Sequence, residues 1–268
     1  MAAATISAYE HWIRVGAFVA VFLAVAVWEM ATPRRRFHYA RHRRWPHNLA
    51  LFALDIAVVR LLAAGAVIAV AVEAQARGWG LLNVAPIPTL VGNVLAFVAL
   101  DLVIYGQHVL FHRVPVLWRL HRVHHTDPEF DVTTASRFHP LEILLSLGIK
   151  CVAVAALGAP PVAVLVFELV LNVAAMFNHA NGRLPVRVDR WLRWVLVTPD
   201  MHRVHHSTVE GETNSNFGFN LPWWDRLFRT YRDQPAAGHA AMRTGVQNFT
   251  GDDAISLPRL LLQPLRRA

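Results

Sequence analysis

The stretch that decides the reading runs from residue 108 to residue 125: His108-Val-Leu-Phe-His112-Arg-Val-Pro115-Val-Leu-Trp-Arg-Leu-His121-Arg-Val-His124-His125. On a helix, residues three or four apart share a face, with Cβ atoms roughly 5–6 Å from one another. His108 and His112 can therefore aim two imidazoles at one point, and His121, His124 and His125 can do the same. Pro115 stands between the two groups, where it ends or kinks a continuous helix. Two short helical pieces, each offering imidazoles to a shared centre, are expected.

A second copy of the later group follows downstream. His121-Arg122-Val123-His124-His125 recurs as His202-Arg203-Val204-His205-His206. A lone histidine is more often a buried hydrogen-bonding group or a surface cation than a ligand. Three groups at ligand spacing reverse that balance, because imidazole is the commonest metal-binding side chain and suits iron, zinc, copper and nickel. Eight histidines exceed what one metal needs, since a catalytic zinc takes three protein ligands. Two metals would use them all.

His-x3-His followed by two copies of His-x2-His-His resembles the fatty acid hydroxylase/sterol desaturase superfamily. Arg137-Phe138-His139-Pro140-Leu141-Glu142, Phe177-Asn178-His179-Ala180-Asn181, Thr198-Pro199 and the run Trp224 to Tyr231 carry the same likeness, which extends from about Leu95 to Arg232. The resemblance implies an integral-membrane, non-haem di-iron oxygenase with two Fe ions and O2 as co-substrate. It implies hydroxylation, or desaturation, of an unactivated C–H bond of a lipid such as a sterol or fatty acyl chain. It also implies further ligands between the second and third groups. His179, at a helix end, is read as one. His139, held before Pro140, is read as a ligand or as a supporting group, which brings the candidate set to ten. Two other classes stay open: a membrane zinc-dependent hydrolase, and a non-catalytic protein that binds metal or lipid.

The rest of the chain sets this site in a membrane. Of 268 residues, 55% are hydrophobic and only 16% charged, with a mean hydropathy of +0.34. Soluble chains carry roughly 25% charged residues. Apolar runs at 13–32, 48–73 and 89–107 are long enough to span a bilayer, which takes about 20 residues. Two shorter runs, 141–157 and 162–177, flank Gly158-Ala159-Pro160-Pro161 and read as a helical hairpin. The expected fold is all-α: a multi-span membrane helical bundle of about three spans plus the hairpin, with a cytosolic helical cap carrying the histidines. Residues 1–88 form the N-terminal spans and a basic loop, 89–232 the catalytic part, and 233–268 a tail with a short surface helix.

Residues 34–47 carry six arginines. Between two apolar runs they fit the positive-inside rule better than a nucleic-acid patch, and they can hold anionic headgroups. Every candidate ligand then falls on the cytoplasmic side. Asp101 shares a helical face with His108 and is a candidate to orient it. Asp200 and Glu210 flank the last histidine group and are read as orienting or solvated charges. The single cysteine, Cys151, excludes an intramolecular disulfide and a cysteine-held Fe–S cluster. Electrons must therefore come from a separate donor protein, and the remaining partners are the lipid substrate and the bilayer.

Overall fold

The computed structural model describes residues 2–84 and 86–266, with side chains from residue 12 onward. Among these residues it contains helices and isolated bridges but no strand. The long helices are α1 (Ala2–Ala31), α2 (Arg41–Ala63), α3 (Ala66–Arg77), α4 (Thr89–Arg113), α6 (Pro140–Leu157) and α7 (Pro161–Asn178). Shorter α5 (Pro115–His125), α8 (Val186–Leu192) and α9 (Pro199–His205) complete the frame. Five stretches are long and apolar enough to cross a membrane: Trp12–Ala31, Arg41–Asn83, Thr89–Arg113, Pro140–Leu157 and Pro161–Asn178. The protein is a multi-span membrane helical bundle.

The second span departs from the sequence reading. The second span starts inside the basic segment, at Arg41, and is interrupted near Gly65, which adopts φ +68° between α2 and α3. A left-handed residue cannot continue a helix, and glycine adopts it without penalty. The third span continues past residue 107 to Arg113. Val114, just before Pro115, is extended at φ −94° and ψ 116°, so α4 and α5 form a corner. Proline occupies the first turn of α5, α6, α7 and α9. There its missing N–H costs nothing and its fixed φ suits the helix.

The main apolar core joins α3, α4, α6 and α7 through Ile68, Leu100, Ile104, Val154, Val164 and Phe167. The second lies between α1, α7 and the loop at Val132 and Ala135.

The basic segment is not a free loop. Arg44 has no solvent exposure. Its Nε and Nη2 donate to the two carboxylate oxygens of Asp127, at 2.7 and 2.8 Å, and its Nη1 to Asp131 at 2.8 Å. Arg34 pairs with Asp200, and Arg35 donates to the Met242 carbonyl. Burial pushes Asp127 up, but the Arg44 and Arg137 guanidiniums outweigh it and hold the carboxyl at about 2. Glu29, at the end of α1, accepts from the backbone N–H groups of Val132 and Asn181, both at 2.8 Å. These contacts bolt the loops that follow α5 and α7 to the ends of α1 and α2.

The tail beyond residue 233 is likewise built in. Leu260 is fully buried, the Gln263 and Arg266 carbonyls accept from Arg122, and the Ala254 carbonyl accepts from Arg137.

Removing one partner of a buried ion pair leaves the other charge uncompensated and typically costs about 3–5 kcal/mol. Arg44→Met, which removes the guanidinium shared by Asp127 and Asp131, is expected to destabilise the protein toward that scale. Thermal or denaturant unfolding in detergent measures it, and an unchanged midpoint would remove the clamp from this account.

Candidate metal centre

Nine of the ten predicted histidines converge. One group holds His108, His112, His121, His125 and His205; the other holds His124, His179, His202 and His206. Within each group one nitrogen per ring lies within 4.8 Å of all the others. The groups adjoin: the rings of His125 and His206 stack at 4.4 Å, and those of His124 and His206 meet at 4.6 Å.

The spatial groups cut across the sequence groups. His121 and His125 belong to one and His124 to the other, while His205 is separated from His202 and His206. Helical geometry explains this. Residues four apart nearly superpose along a helix, whereas adjacent residues diverge by about 100°. Each His-His doublet therefore serves two centres at once, which the sequence spacing did not reveal.

Backbone carbonyls fix the ring tautomers. Nδ1 of His108 lies 2.8 Å from the Phe217 carbonyl, that of His179 2.8 Å from Ala175, and that of His205 2.7 Å from Ser215. A carbonyl only accepts, so each Nδ1 carries the proton and each Nε2 presents a lone pair. Those of His108, His205 and His206 are buried without any hydrogen-bond partner. Others face one another: Nε2 of His179 is 3.1 Å from Nε2 of both His124 and His202, and Nε2 of His125 is 3.1 Å from that of His112. Metal–imidazole bonds of about 2.0–2.1 Å place neighbouring donor atoms about 3 Å apart, so the spacing fits a shared cation.

Burial also keeps the rings neutral. It pushes His121 and His179 down to about 3, and His124, His125, His202, His205 and His206 well below the usual imidazole range. Neutral imidazole is the form that binds metals. Only His112 is half-buried.

The predicted tenth member stands apart. Nδ1 of His139 accepts from the Leu141 N–H at 3.2 Å, capping α6, and its Nε2 faces the Leu261 carbonyl at 3.2 Å. Both nitrogens are thus engaged outside the groups. The residue before a helix-initiating proline is the natural N-cap, and His139 fills that place.

Asp101 does not touch His108. It accepts from the Trp224 indole at 2.8 Å and the Leu221 N–H at 3.2 Å, holding the loop that supplies the Phe217 carbonyl. Asp225 holds the same loop through the N–H groups of Phe217 and Gly218, both at 2.8 Å. Asp200 pairs with Arg34 and Arg203. Glu210 is exposed.

A carboxylate that does meet a histidine of the two groups is Glu142, whose Oε1 lies 2.6 Å from Nδ1 of His121. Its signal was its place in the first turn of α6, three residues after His139, from where a side chain reaches back past the helix start. The orienting main-chain carbonyls carry no sequence signal at all.

Beside the groups, between α1, α2, α3, α6 and α7, lies a cavity of about 950 Å³. Phe138 forms part of its wall and stacks on His124 at 4.5 Å, with planes 9° apart. Apolar residues such as Phe18, Phe52, Ile143, Leu147 and Leu169 line most of it.

A membrane bundle whose helix ends bring two adjoining all-histidine groups together beside an apolar cavity defines a class of metal-binding membrane protein. Residues 93–230, about half of the chain, match the family of fatty acid hydroxylases, and the chain belongs to that family. It is 31% identical over 174 residues to the ornithine lipid hydroxylase OlsE of Rhizobium tropici, covering 65% of this chain and 50% of that protein. Alkylglycerol monooxygenase of Xenopus tropicalis is 30% identical over 51% of this chain and 30% of its own length. Cholesterol 25-hydroxylase of Homo sapiens is 28% identical over 49% and 48%. The matches thus span half or less of these relatives. No solved structure matches the chain significantly.

His139→Ala is expected to take up as much cobalt(II) as the parent protein and His179→Ala to take up less, read from visible absorption and metal analysis. Equal losses in the two variants would place His139 among the ligands after all.

Proposed function

We propose that the protein is an O2-dependent oxygenase that hydroxylates an unactivated C–H bond of a membrane lipid, using two iron ions held by the two histidine groups. The observation that carries this reading is the pair of adjoining imidazole groups whose lone pairs converge beside the apolar cavity. His108, His112, His121, His125 and His205 would hold one ion, and His124, His179, His202 and His206 the other. Bound there, a pair of Fe(II) ions supplies two of the electrons that O2 reduction needs and the oxidising power to take hydrogen from carbon. The overall reaction is RH + O2 + 2e⁻ + 2H⁺ → ROH + H2O, with the two electrons delivered by a separate donor protein.

The chain's own residues perform the remaining tasks. The carbonyls of Phe217, Ala175 and Ser215, together with Glu142, lock the rings so that few ligand motions need to be frozen on binding. Phe138, Ala135, Ala175 and Met176 line the cavity with apolar surface, which helps exclude bulk water from the reacting carbon. The cavity volume lies at the upper end of the range for small-molecule sites, about 300–1,000 Å³, and suits a lipid tail.

Hydroxylation is preferred to desaturation because the similar proteins are named hydroxylases and monooxygenases. Hydrolysis by metal-bound water is less well supported, since neither group contains a carboxylate and Glu142 is engaged by His121. The arginine-rich segment contacts Asp127 and Asp200, each close in sequence to a histidine group, so the positive-inside rule supports a cytoplasmic location for the site.

Protein produced with ample iron is expected to carry about two irons per chain, as a two-metal site requires. Given reductant and ¹⁸O2, it should incorporate one labelled oxygen into a lipid, detected by mass spectrometry of extracts. His121→Ala should abolish the incorporation. A stoichiometry near one, or label appearing only in water, would refute the proposal.

A further inference from the structure

The cavity contains polar residues that its apolar character does not require. Ionisable side chains within membrane helices are costly and tend to be paired or functional. Glu168 is accounted for: Arg14 and Lys150 each donate to it at 2.7 Å. Asp55 is not. It lies on α2 in the cavity wall, is 4% exposed, and both of its carboxylate oxygens are buried without a hydrogen-bond partner.

Its position is informative. One turn before Asp55 on α2, Leu51 packs against Val123 of α5, which lies between His121 and His124. Ser136 and Phe138 share the cavity wall with it, and Phe138 stacks on His124. Asp55 therefore stands at the histidine end. Lys150 lies eight residues beyond Glu142 on α6, about 12 Å along the helix axis. The rest of the wall is mostly apolar, with Phe18, Phe52, Ile143, Leu147, Leu169 and Val173, although Arg60, Ser146 and Asn172 also line it. At the distant station Glu168 is paired with two cations, whereas Asp55 has no hydrogen-bond donor.

We propose that Asp55 is the polar anchor of this cavity: it receives the hydrogen-bond donor of a lipid head group, hydroxyl or ammonium, and directs oxidation to a carbon close to that head. This deepens the oxygenase reading and rests on it for the oxidation step, though not for binding. The tail then extends along α6 and α7 toward Lys150, and the carbons nearest the head lie beside Phe138 and the histidine groups. A lipid without a donor would leave the carboxylate unsatisfied and would bind less well, since a buried polar group left unpaired is penalised.

The test uses the whole chain, loaded with cobalt(II) and kept free of O2 in detergent, and two pairs of probes. 1-O-hexadecylglycerol is compared with its di-O-methyl ether, and hexadecylammonium with hexadecyltrimethylammonium; each pair keeps the tail and removes the donors. The parent is expected to bind the donor-bearing member of at least one pair about tenfold more tightly, and that pair identifies the donor. Asp55→Leu should erase the difference, while Asp55→Asn, which keeps shape and one acceptor oxygen, should reduce it. Unfolding midpoint and cobalt uptake confirm that both variants are folded. Equal binding within both pairs, no binding of any probe, or an undiminished preference in the folded Asp55→Asn and Asp55→Leu proteins would overturn the inference. Because these readouts need neither iron nor O2, they separate from the oxygenase test. Donor-dependent binding without lipid oxidation would sink the oxygenase reading alone.

Discussion

Nine imidazoles packed into a dry interior pose one problem, and the surrounding structure is arranged to solve it. A neutral imidazole offers one donor and one acceptor, and rings crowded with their acceptors facing each other repel. Several Nε2 atoms lie 3.1–3.2 Å apart in this protein. That arrangement is tolerable when the other ring nitrogen is tied to an acceptor and a cation completes the centre. The carbonyls of Phe217, Ala175 and Ser215 and the Glu142 carboxylate supply the ties. The helices supply a further bias. Most of the histidines lie in the last turns of α4, α5 and α9 or just after α7, with His108 and His121 one turn earlier. Helix C-termini carry partial negative charge, so four of them brought together favour cations.

The ties must be held at fixed positions, and this explains the second layer of charge. Asp101 and Asp225 hold the loop around Phe217. Arg44, Asp127, Asn48 and Arg137 form a buried network behind α5, in which every link is a charge-assisted or amide hydrogen bond. A network of this kind is weak evidence for stability, because apolar replacements often do as well. Its directional bonds instead fix one register for α2, α5 and the loop at 126–137. That register sets where His121, His124 and His125 point.

Much of this was legible in the sequence, for physical reasons that can be named. Apolar runs identify spans because a bilayer admits only helices long enough to cross it and satisfied within themselves. Proline after Val114 identifies the corner between α4 and α5 because it restricts the residue before it. Histidine spacing identified the cluster because helices repeat every 3.6 residues. The spacing did not show how the doublets divide between two centres, since that depends on how four helices are rotated against one another. Nor did it separate His139 from the nine, because a capping histidine and a ligand histidine look alike until the helix start is located. The buried partners of Arg34 and Arg44, namely Asp127, Asp131 and Asp200, were not legible because they lie more than 80 residues away in sequence.

Helix α7 links the parts. Over half of its membrane-spanning window is buried, 56%, compared with 17% for both α1 and α6. It therefore runs through the interior while its neighbours face lipid. Along one helix it carries Glu168, which pairs with Arg14 and Lys150, then Asn172, Val173 and Met176 in the cavity wall. Ala175 follows, whose carbonyl orients a ring, and finally His179 itself. Close-packed interiors transmit displacement rather than absorb it. A displacement of α7 at the cavity wall would therefore carry His179 with it relative to His124 and His202. The cavity wall and the second histidine group share this single element.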